Sequence, residues 1–144
     1  MKKYTFLLFF LISGFFYSAF AQSGGKFAKW PEIKAYHAVM SQTFHPSETG
    51  NLEPIKKQSK DLLAKADALA KSVVPQEFSN KDVTAAVAKL AKDSKALDDL
   101  VQAKAKDEEI TKALSGLHDT FHTIVEKCSP ENHHHDDHSG HDHK

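Results

Sequence analysis

The sequence predicts an all-α fold, an antiparallel up-down-up-down four-helix bundle over residues 30–128. Two observations predict it. Apolar residues recur at alternating spacings of four and three along four separate segments, the spacing of one helical stripe. The breaks between segments are short and hold proline, glycine or cap-forming residues, which makes sequential helices antiparallel neighbours. No alternating strand pattern, glycine-rich phosphate loop or internal repeat competes with this reading.

The first segment, residues 1–21, reads as a cleaved signal peptide. Lys2 and Lys3 precede the apolar run from Phe6 to Phe16, and Ala19-Phe20-Ala21 supplies the small-x-small cleavage pattern. The mature chain is expected to begin near Gln22, with residues 22–29 as a linker and no lipobox cysteine at the junction. Nothing beyond residue 22 is apolar enough to span a bilayer, so the expected product is secreted, periplasmic in a double-membrane bacterium, and not stably inserted in the membrane.

Helix one is predicted from Trp30 to His45, with Ile33, His37, Met40 and Phe44 on its inner stripe. Pro46 should bias His45 away from helical geometry, and Ser47-Glu48-Thr49-Gly50 reads as a turn. Asn51 is the expected cap of helix two, with Pro54 tolerated in its first turn. That helix carries Ile55, Ser59, Leu62, Ala66, Leu69 and Val73 and runs to about Val74, before Pro75 stops it. Ser79 should cap helix three, whose stripe is Val83, Val87, Leu90, Ser94, Leu97 and Val101. Asp107, with Glu108 and Glu109, offers cap and favourable charge to helix four, which presents Ile110, Leu114, Leu117, Phe121, Ile124 and Cys128. Residues 129–144 hold almost no apolar side chain and are expected to be disordered without metal.

The chain has no arginine and a formal net charge of zero, and export would remove two lysines, leaving it slightly acidic. No basic stripe survives to exchange counterions with phosphates, which argues against nucleic acid. A single cysteine, Cys128, forbids an intramolecular disulfide.

The ten histidines carry the functional signal. Imidazole is the commonest protein ligand for zinc, copper and nickel. His118 and His122, spaced i, i+4, project from one side of helix four. His37 on helix one is expected to face them. Measured from the end where helix one finishes and helix four begins, His37 lies about 12 Å down and His118 about 15 Å down. His45 sits about 15 Å too high to join unless that end bends inward, and otherwise forms a separate site with Glu48 or caps the bundle. Met40 and Cys128 would favour copper(I) if they ligate, whereas imidazoles alone suit zinc or copper(II). In the tail, His133, His134, His135, His138, His141 and His143, with Asp136, Asp137 and Asp142, suit capture, buffering or delivery of metal ions. Protonation below roughly pH 6 should release that cargo. The partners expected are metal ions, with a metal transporter or an acceptor metalloprotein.

Over residues 30–128 the chain resembles the soluble cytochrome b and cytochrome c-prime type four-helix bundles, which are exported and carry an axial ligand on the first helix and a histidine on the last. His37 and one of His118 or His122 fall where those ligands would lie. The resemblance implies non-covalent haem b held by His37 and His122 in an electron-transfer protein, the alternative to a metal binder. Cys-x-x-Cys-His is absent, which excludes covalent haem attachment. No carboxylate is clearly placed as a general base near the imidazoles, so no enzyme activity is expected.

Overall fold

The computed structural model describes residues 26–129; the signal-peptide assignment and the tail from residue 130 lie outside them. The described chain is all-α, with helices α1 (Pro31–Ser47), α2 (Glu53–Lys71), α3 (Lys81–Gln102) and α4 (Asp107–Lys127) and one 3₁₀ turn, Gln76–Phe78. Among the described residues there is no strand, and no helix is long and apolar enough to cross a membrane.

The helices pack in chain order, and α1 closes the ring against α4. Side-chain bonds fix their senses. Trp30, just before α1, donates from Nε1 to Ser72 Oγ at the end of α2 (2.9 Å). Ser59, early in α2, donates to Asp98, late in α3 (2.6 Å). Lys127 at the end of α4 pairs with Asp82 at the start of α3. Each consecutive pair is therefore antiparallel. The core is continuous from Trp30, Ile33, Tyr36 and Met40 through Leu62, Leu69, Leu90 and Leu97 to Leu114, Leu117 and Ile124.

Local chemistry sets the boundaries, and several differ from the sequence expectation. Asn80, not Ser79, caps α3, its side chain accepting from the Val83 N–H at 2.8 Å. At α4 the cap position falls on Lys106, whose N–H donates to Glu109 Oε2 (3.1 Å), while Asp107 is the first helical residue. The α2 stripe stops at Leu69. The helix ends at Lys71, Ser72 turns extended, and Val73 is 89% exposed. Pro46 does not stop α1, which continues through it to Ser47. A proline in a last turn forfeits a single backbone bond and has no following turn to disturb. Gly50, at φ +83°, then makes the turn toward α2, a conformation in which a Cβ is strained.

Residues 26–29, expected as linker, form a turn folded onto the bundle. Phe27 packs against Phe78 (5.5 Å between ring centroids) and edge-on to Trp30 (6.4 Å). Lys26 donates from Nζ to Val125 O and Ser129 Oγ, both at 2.6 Å, so the end of α4 is tied to the start of α1.

Candidate functional site

The phase of α1 differs from the expected one. Tyr36, not His37, occupies the inner stripe with Ile33, Met40, Thr43 and Ser47, and His37 is exposed on the flank toward α4. Burial of the larger ring accounts for the choice, because Tyr36 also finds an internal partner in Ser94 (3.4 Å). Burial pushes the Tyr36 phenol well above its ordinary pKa, so it stays protonated.

The level of α1 differs as well. α1 and α4 approach less closely than the other neighbouring pairs, and rings fill the seam between them. Phe44 stacks on His118, with centroids 3.7 Å apart and planes at 9°. Lower down, His37 stacks on Phe121 at 5.0 Å and 3°. His118 therefore lies opposite Phe44, and His37 opposite Phe121 and His122. The expected alignment assumed that α1 ends level with the start of α4. In fact α1 stops roughly 10 Å short of it, because Phe44 is almost at the end of one helix while His118 is three turns into the other.

The same offset brings His45 down to the level of His118, where it needs no bend in the helix. Its Nδ1 bonds Glu48 Oε2 at 3.0 Å. Glu48 can only accept, so the bond requires a proton on His45 Nδ1.

Among the described histidines only His118 and His122 converge, their Nε2 atoms 3.1 Å apart. Helical spacing puts both rings on one face, and the Phe44 stack fixes the plane of His118. Among the described residues, no group of three His, Cys, Asp or Glu side chains is arranged to hold a metal ion. The structure keeps two further candidates away from this pair. Met40 is wholly buried in the core. Cys128 is buried beyond His122, about 9 Å further along the axis and on another face, its thiol pKa raised by burial. Phe121 occupies the space between His37, on which it stacks at 5.0 Å, and His122, whose ring it meets edge-on at 6.3 Å.

Two imidazoles at the seam, His37 and His118, are shifted toward the neutral form. The His118 pKa is lowered by burial first and by His122 second, with Asp119 and Glu48 opposing. The His37 pKa is lowered by burial, then by His122 and His45. Without metal, the folded chain thus holds these protons less readily than the unfolded chain. Their contribution is intact above the ordinary imidazole pKa of about 6.5 and is lost as pH falls through it. Tm should decline on acidification from about pH 7.5 to about 5, and decline less in a His37→Gln, His118→Gln double variant. Glu77, held low mainly by a backbone hydrogen bond, titrates below that window. An equal decline in the variant, followed by circular dichroism, would show that the seam histidines are not responsible.

Sequence reasoning missed the part played by Phe44 and Phe121 as platforms for imidazole rings. Their spacing from His37 and His118 carried no signal, because it depends on the relative level of two helices. Compared with protein-family models, with curated proteins and with solved structures, the chain matches none.

Proposed function

We propose that this chain is an exported up-down-up-down bundle that binds a divalent transition-metal ion, zinc, copper or nickel, for capture, buffering or delivery. In this reading it is secreted to the periplasm, works without catalysis, and passes its ion to a transporter or an acceptor metalloprotein. The observation that carries the reading is the 3.1 Å separation of His118 Nε2 and His122 Nε2. Two imidazole nitrogens bound at about 2.05 Å lie about 3.3 Å apart at a tetrahedral angle and about 2.9 Å apart at a right angle. The observed distance falls between them. A linear copper(I) pair would need about 4 Å, and the thioether and thiol that would favour that ion are buried elsewhere. Without an ion, one ring's Nε2–H is shared with the other's Nε2 lone pair; for both lone pairs to face an ion, the donor ring's proton moves to its own Nδ1 through solvent, leaving both rings neutral. The lowered pKa of His118 reduces competition from protons at neutral pH.

A metal held by the folded helix pair stabilises the native state, by about 2.7 kcal/mol at a free concentration of ~100 times Kd. For a domain of this size that corresponds to a rise in Tm of roughly 10 °C or more. The wild-type chain should show this rise with zinc, and a His118→Ala, His122→Ala double variant should not. His122 is exposed and His118 half-buried, so the double variant should fold. Retention of the full rise would reject the site.

A further inference from the structure

The His118–His122 pair supplies two of the four ligands that a tetrahedral zinc ion takes. It stands at the surface, with His122 exposed and His118 covered on one ring face by Phe44. A second copy of the chain carries the same pair. Two copies related by a twofold axis through the ion bring four imidazoles to it, one pair from each.

The surface around the pair is suited to meeting itself. Lysines are unevenly spread over the bundle: α2 carries five and α3 four, against one on α1 and two on α4. None lies between Lys34 and the end of α1, or between Lys112 and Lys127 on α4. At the level of the pair, the α1–α4 side thus presents no lysine from either helix. A lysine there would repel the ion and, being long and strongly hydrated, would hold a second surface away. In its place stand the exposed rings of His37 and His45 and the half-buried ring of Phe44. Depletion of lysine with enrichment of aromatic rings is the composition of surfaces that join proteins. Asp119, whose charge acts on His118, is present once in each copy and offsets the charge of a divalent ion held by neutral imidazoles.

We propose that zinc joins two copies of this chain, with His118 and His122 of each closing one tetrahedral, four-imidazole site on a twofold axis. This rests on the metal-binding reading above and names the partner that completes its site. Separation of the copies opens two of the four coordination positions, which suits handing the ion to an acceptor.

The test uses the full-length chain with the six histidines beyond residue 129 changed to alanine, so that the pair alone is read, with and without the His118→Ala, His122→Ala change. At saturating zinc the chain that keeps the pair should sediment at twice the mass of the zinc-free monomer, with one zinc per two chains. The chain that lacks it should stay a monomer. Half-saturating free zinc for the Tm rise should fall about tenfold when chain concentration is raised tenfold, by mass action, whereas a site within one chain would not respond. Cobalt(II) should give strong tetrahedral d–d bands that saturate at one ion per two chains. A Tm rise independent of chain concentration, on a chain that stays a monomer, overturns the two-copy site and leaves the pair as a site within one chain. A dimer that forms equally without the pair, or without zinc, overturns it as well. So does the absence of a Tm rise in the chain that keeps the pair, and its absence from the wild-type chain too removes the metal-binding reading with it.

Discussion

Replacing Trp30 with alanine is expected to cost about 3–5 kcal/mol of folding stability, the range for deleting a fully buried aromatic side chain. Trp30 is completely buried where α1 begins. It stacks on Phe78 (centroids 6.2 Å apart, planes at 23°), meets Phe27 edge-on, and donates to Ser72. One residue thus ties together the entry segment, the foot of α2 and the 3₁₀ turn before α3. Against a typical total of about 5–15 kcal/mol, the loss removes a large share and should lower Tm by roughly 15 °C or more. Urea unfolding with an unchanged m-value would measure it. A loss below about 1 kcal/mol would mean that the foot of the bundle is not packed as described. Trp30→Phe, which keeps an aromatic body and gives up the Ser72 bond, should fall between wild type and alanine.

Three of the four helices were legible in the sequence because their inner stripes are unambiguous. Ile55 to Leu69, Val83 to Leu97 and Ile110 to Ile124 are buried as their spacing predicts, with the polar Ser59 and Ser94 among them. Those two serines find partners, Asp98 and Tyr36, so their burial is compatible with a core. Helix α1 was harder to phase. Tyr36 and His37 are adjacent amphipathic rings, and periodicity cannot choose between them. The choice rests on Ser94, a residue of another helix. The level of α1 was illegible for a related reason: it depends on how residues 48–52 turn, with the Asn51 N–H returning to Pro46 O, and on rings from two helices finding each other. The His118–His122 pair and the His45–Glu48 bond are local, at i, i+4 and i, i+3, and could be read from spacing alone. Contacts across the seam could not.

The second large effect is expected at Phe121, where the seam and the candidate site meet. Phe121 is buried and stacks on Tyr36 at 5.8 Å and on His37 at 5.0 Å, with the His122 ring edge-on at 6.3 Å. Because α1 and α4 stand further apart than their neighbours, ring contacts supply much of the cohesion between them. Phe121→Ala should therefore cost about 3–5 kcal/mol, whereas His37→Ala, which removes an exposed ring from the same stack, should cost well under 1 kcal/mol. The two losses separate packing from ligation. The His118–His122 geometry is set by one helix and by the Phe44 stack, so a Phe121→Leu variant, which retains most of the volume, should keep its zinc-dependent Tm rise with half-saturation within a few fold of wild type. If Phe121→Leu lost the zinc response while staying folded, the ion would be held by ligands on both sides of the seam, with His37 the first to add.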